Sequence, residues 1–131
     1  MNWTSFAKYA RASALINMGG AVVYADSRGP ECRVYSTARS HECALAWSRA
    51  GTPPTPDLEV DLEKISGTLV FAGAYHHCVV PWDLVWAVRL AGTRDVTDGL
   101  IVWPESVPAD VEPELVTFLK RAGAWRPGKS L

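Results

Sequence analysis

The sequence predicts an α+β domain that is mostly β: a small, strongly bent antiparallel sheet or partly open barrel with flanking helices. Three observations lead there. Residues 3–17 carry a helical apolar stripe that ends at Gly19-Gly20. About six or seven short β-like runs follow, separated by turn chemistry. Two of these runs flank Ala72-Gly73 closely enough to form a hairpin.

The elements follow in chain order. Trp3, Phe6, Ala10, Ala14 and Asn17 recur at steps of three and four, which lines them along one face of a helix. Ala21 to Ala25 (AVVYA) is a compact strand, and Asp26 to Pro30 is a turn. Arg33 to Ser36 reads as a short strand and Cys43 to Ser48 (CALAWS) as a stronger one. Pro53, Pro54 and Pro56 exclude ladder pairing, so Gly51 to Pro56 is a loop. Leu58, Val60 and Leu62 alternate with Glu59, Asp61 and Glu63, the period of a half-buried strand with an acidic outer face. Thr68 to Phe71 and Tyr75 to Val80 make the hairpin. Trp82 to Leu90 reads as one or two helical turns behind Pro81, and Leu100 to Trp103 as the last strand. Asp110 caps a C-terminal helix, Val111 to Ala122, with Glu112 and Glu114 in its first turn, Lys120 and Arg121 in its last, and Gly123 beyond. Residues 1–107 thus form the helix-plus-sheet domain, and 108–131 an appended helix and short tail.

Composition narrows the function classes. A chain of 131 residues with 48% hydrophobic side chains can close its own core without disulfide or metal. Thirteen basic and 14 acidic residues leave a net charge of −1, with no basic face for nucleic acid. Cys32, Cys43 and Cys78 form no CxxC pair, and an odd, sparse count fits reduced thiols in a cytoplasm. No signal-peptide core follows Lys8 and Arg11, and no apolar run is long enough to span a membrane.

Catalysis finds little support. No nucleophile elbow, phosphate loop, dinucleotide fingerprint or helical zinc-protease motif occurs. Asp57, Glu59, Asp61 and Glu63 have the spacing of a solvated strand face, where like charges stay apart in water. The chain is therefore expected to be non-enzymatic and without cofactor. His41-x-Cys43 and His76-x-Cys78 are matching pairs that could ring a zinc ion if their strands were neighbours. The competing reading makes both cysteines small core residues and both histidines rim groups, and no metal is expected. A peptide- or protein-binding module remains, in which a curved sheet with an apolar groove takes an extended peptide. The small Ala72-Gly73-Ala74 turn would let another backbone approach, or is simply a hairpin turn.

The order of helix, LEVD strand, TLVFAG turn, VVPW, short apolar helix and IVWPE strand resembles the stringent starvation protein B family, adaptors of the ClpXP protease. Phe71, Ala72, Gly73, Val80, Pro81 and Pro104-Glu105 carry the likeness, which covers residues 3–107. Ala44 to Ser48 is similar to a further family strand, with Ala46 in place of an Asn. The resemblance implies a small Sm-like β-barrel whose N-terminal helix makes a homodimer contact. It implies a groove built from Ala46, Trp47, Ser48, Thr68, Val70, Phe71, Ala72 and Gly73 that holds a C-terminal degradation tag. The adaptor would deliver tagged substrate peptides to the AAA+ unfoldase ClpX by raising their effective concentration. Thr68, Val70 and Ala72 share one strand face and Leu69 and Phe71 the other, and alternation leaves open which lines the groove. The family's long polar linker is replaced by the expected helix Val111 to Ala122. Ala124 to Leu131 only faintly resembles a ClpX-docking peptide. The alternative is a divergent SspB-like barrel that serves as an interaction or assembly module for a different partner.

Overall fold

The computed structural model describes residues 3–49, 55–95 and 97–111. Helix α1 (Trp3–Asn17) precedes seven strands: β1 (Ala21–Ala25), β2 (Cys43–Trp47), β3 (Glu59–Val60), β4 (Lys64–Phe71), β5 (Ala74–Pro81), β6 (Val85–Leu90) and β7 (Ile101–Val102). Single 3-10 turns lie at Ser36–Ala38, Trp82–Leu84 and Pro104–Ser106. The strands form two antiparallel sheets, one in the order β2-β1-β6-β7 and one in the order β3-β4-β5. The expected α+β class holds, but the sheets are not closed into a barrel. They share one core, in which Trp47, Trp82 and Trp103 pack with Leu15, Val23, Ile65, Val80, Val85 and Val88.

Helix α1 sits where expected, but with the other face inward. Ser5, Lys8, Ala12, Leu15 and Ile16 are buried, while Trp3, Phe6, Ala10, Ala14 and Asn17 are exposed. The buried face was hidden in the sequence because it starts with two polar residues that have fixed partners. Ser5 Oγ donates to Asp83 Oδ1 at 2.9 Å. Lys8 Nζ donates to the Trp82 carbonyl at 2.9 Å and to Ser106 Oγ at 3.0 Å. Those bonds fasten the helix to two of the 3-10 turns.

The main correction concerns Trp82 to Leu90. Only Trp82–Leu84 is helical, as one 3-10 turn, and Val85–Leu90 is a central strand paired with both β1 and β7. The run VWAVRL is buried through its first four residues. A strand buried on both faces loses its alternation and resembles a short apolar helix, although its β-branched and aromatic content favours a strand. Two smaller differences follow. Arg33 contributes a single bridge to Val79 rather than a strand. The strand expected from Leu58 to Leu62 shrinks to Glu59–Val60, because Asp61 Oδ1 accepts the Glu63 and Lys64 N–H groups at 2.8 and 3.0 Å and turns the chain.

The hairpin of β4 and β5 is longer than the sequence indicated, pairing Lys64 with Pro81 at one end and Phe71 with Ala74 at the other. Both loop residues have positive φ, 50° at Ala72 and 84° at Gly73. That is the requirement of the two-residue turn that matches strand twist. The expected helix Val111 to Ala122 lies outside the described residues beyond Val111, which is buried. The Asp110 carboxylate, expected to cap that helix, pairs with Arg28, which also binds Asp26.

Candidate functional site

A cleft of about 450 Å³ opens where β2 of one sheet faces β4 of the other. Ala44 to Ser48 line one wall and Thr68 to Phe71 the other, with Gly19, Thr55, Ala91 and Gly92 completing it. Among the described residues no lining side chain is ionisable. Consecutive residues of both strands take part, although successive side chains point to opposite faces. The cleft therefore meets the strands edge-on: Thr68 and Val70 line it, and so do Leu69 and Phe71.

The main-chain pattern says which groups point into the gap. Within a strand, the N–H and C=O of one residue point to one neighbour and those of the next residue to the other. The Ser48 carbonyl accepts the Thr55 N–H at 2.6 Å, away from β1. Ala46 and Ala44 turn their main-chain groups the same way, along the edge of β2 that faces the cleft. On β4, the Thr68 N–H donates to Asp57 Oδ1 at 2.7 Å and its hydroxyl to Asp57 Oδ2 at 2.8 Å, away from β5. Val70 points its N–H and C=O to that same side. β3 covers this edge only at Ile65 and Ser66, so among the described residues no strand pairs with β4 at Val70.

One end of the cleft is closed by the chain itself. Thr55 bonds β2 at Ser48 while Asp57, two residues on, bonds β4 at Thr68. Gly67 permits this, since a Cβ there would sit 2.5 Å from Thr55 Cγ2 and 3.4 Å from Trp47 Cζ3. Gly20 does the same for β2: it has φ 151°, and its Cβ would lie 2.9 Å from the Trp47 carbonyl. The Thr68 N–H and hydroxyl hold the Asp57 carboxyl below the usual carboxylate range, with His77 Nδ1 3.3 Å away. Trp47 floors the cleft fully buried, and its indole N–H has no acceptor among the described residues.

Comparison of the chain with protein-family models and with curated proteins gave no match.

Of the residues expected to form a groove, Ala46, Trp47, Ser48, Thr68, Val70 and Phe71 line this cleft, whereas Ala72 and Gly73 do not. The latter pair forms the exposed hairpin tip, where no atom lies within 4 Å of a Cβ built on Gly73. Gly19, Thr55, Ala91 and Gly92 went unnoticed in the sequence, as glycines and small residues in loops carry no signal of which strand edge they approach. The four residues weighed as a zinc set do not converge. His41 belongs to the turn before β2, near Glu42 and Asp110, while His76 packs against Tyr35 and Phe71. Cys43 and Cys78 are buried on strands of different sheets. Among the described residues no three His, Cys, Asp or Glu side chains are placed to hold a metal ion. Asp57, Glu59, Asp61 and Glu63 are exposed; Asp61 accepts within its own turn and Asp57 accepts from Thr68 on β4.

Proposed function

We propose that the protein is a non-enzymatic, peptide-binding adaptor of the SspB type, built on an Sm-like arrangement. It holds C-terminal degradation tags in the cleft between β2 and β4 and passes tagged substrates to ClpX. One observation carries the reading: two segments far apart in sequence, Ala46 to Ser48 and Thr68 to Phe71, face each other across one uncharged cleft. Uncharged walls with main-chain groups along their edges suit an extended peptide better than a charged metabolite.

The outward face of α1 supports a homodimer. Trp3 is 72% exposed and packs edge-on against Phe6, itself 40% exposed, and Ala10 and Ala14 extend the surface. Contiguous exposed apolar side chains on one helix face are the kind of patch through which proteins associate. Among the described residues no helix is long and apolar enough to cross a membrane, and the cytosol is the proposed compartment.

Titration of the protein with a fluorescent peptide bearing the tag of stalled-ribosome products is the direct test. Saturable binding at micromolar protein, displaced by unlabelled peptide, is expected. A folded protein that leaves the peptide's anisotropy unchanged at such concentrations rules out the tag. The alternative, an assembly module for another partner, is separated by deleting residues 108–131. An adaptor keeps its peptide affinity and loses delivery, whereas a module with the partner site in that segment loses the partner and has no tag affinity to keep.

A further inference from the structure

We infer that the cleft takes its ligand as an inserted β-strand, hydrogen-bonded on both sides, which joins the two sheets into one; the inference rests on the peptide-binding reading above. The ligand class is an extended polypeptide segment recognised mainly through its main chain. Its side chains are uncharged where the cleft walls enclose them.

Among the described residues, two strand edges without a pairing strand face the same gap. Ala44 and Ala46 present main-chain donors and acceptors from β2, and Val70 presents its own from β4. At its closed end a single stretch of chain bridges the gap, Thr55 bonding one wall through its main-chain N–H and Asp57 the other through its carboxylate. β3 continues from that stretch, paired to β4. A visiting strand in line with β3 takes up the same position one step further on, beside Val70 and Ala46. The spacing between adjacent strands is about 4.8 Å, so a segment that fits between the two edges reaches both at bonding distance. The wall residues of β2 that flank the line are alanines, which leave room for a backbone to approach closely.

The charge pattern agrees. Asp57 stands at the closed end, and its carboxyl is already satisfied by Thr68. The described wall residues offer no counter-ion to a charged ligand side chain, and burying an unpaired charge there is costly.

Amide hydrogen exchange by NMR tests this, on the full chain saturated with the strongest binder from an array of uncharged hexapeptides. Insertion slows the Ala46 and Val70 amides together, by at least about tenfold each. Leu45 and Leu69, which face the existing sheets, serve as internal controls. The same binder is then N-methylated one position at a time. A strand paired on both sides loses about fivefold or more in affinity at each consecutive interior position, because each N–H bonds one wall or the other. Protection of only one of the two amides, or losses only at alternate positions, means addition to a single edge and overturns the insertion while leaving peptide binding intact. A binder that protects neither amide overturns the site itself. No saturable binding by any array peptide overturns the peptide-binding reading and the insertion with it.

Discussion

Lys8 shows how one side chain can set both the seat of a helix and the pH response of a domain. It is 1% exposed, with Nζ bonded to the Trp82 carbonyl and to Ser106, 5.9 Å from the centre of the Trp103 ring. Burial lowers its pKa from 10.5 to about 8, against the pull of Asp83 and Glu105 towards the charged form. From about pH 8 to about pH 10.5 the unfolded chain keeps a proton that the folded chain has released, so the contribution of Lys8 to stability grows with pH across that window. The gain belongs to one residue. The difference in unfolding free energy between wild type and Lys8→Met should therefore widen in favour of wild type by roughly 2–3 kcal/mol from pH 7 to pH 10. Urea melts at four pH values measure it, and a difference that stays flat would show that the amine is not held as described. Gly67 sets a second residue-scale expectation. Its Cβ in Gly67→Ala would meet Thr55 Cγ2 at 2.5 Å, and overpacking at a buried strand contact costs about 1–3 kcal/mol. The same push loosens the Thr55–Asp57 stretch that closes the cleft, so peptide affinity should fall along with stability. Intact affinity in the destabilised variant would separate the cleft from this end of the chain.

At the scale of elements, the hairpin and the helix make separate predictions. Ala72 holds φ 50° in the turn, a conformation that costs a Cβ-bearing residue energy and glycine little. Ala72→Gly should stabilise the domain by about 0.5–1 kcal/mol after the greater freedom of glycine in the unfolded chain is counted. A lower thermal midpoint would mean the turn is not of this type. For α1, Trp3→Glu with Phe6→Glu should convert the proposed dimer to monomer in sedimentation velocity and leave the melting temperature within a few degrees, since neither side chain is in the core. A wild-type protein that is already monomeric at tens of micromolar removes that interface. These elements also show what could be read from sequence. The hairpin was legible because its turn residues and flanking β-branched runs are local signals. The extent of α1 was legible from its periodicity and its glycine stop, but its inward face was not. Lys8 and Ser5 look like solvent residues until Trp82, Ser106 and Asp83 are brought alongside by the fold. β6 was misread because a strand buried on both faces carries no alternation. The cleft residues on β2 and β4 came from family likeness. Nothing local in Ala46 or Val70 says that their edges will face each other.

For the whole molecule, the open question of mechanics is whether two sheets that share no strand pairing unfold as one body. The core suggests that they do, since Cys32, Cys43 and Cys78 lie in one cluster although Cys43 belongs to β2 and Cys78 to β5. Burial pushes the Cys32 thiol up to about 12 and Cys78 to about 11, and raises Cys43 as well. Only the thiolate reacts with disulfide reagents, so the folded protein should be nearly inert to them at pH 8. In the unfolded chain the thiols ionise near 9.0. The folded state keeps those protons, so the thiols take stability away as pH rises above about 9, opposite in sign to the contribution of Lys8. The labelling rates carry the structural information. If the sheets open together, all three cysteines react at one common rate, set by global unfolding and accelerated equally by sub-denaturing urea. Mass spectrometry of peptides after timed labelling resolves the three sites. A Cys43 that labels faster than Cys78 would show β2 parting from the second sheet on its own. The cleft would then lie between independently moving bodies, and a ligand strand bonded to both edges should bring the two rates back together.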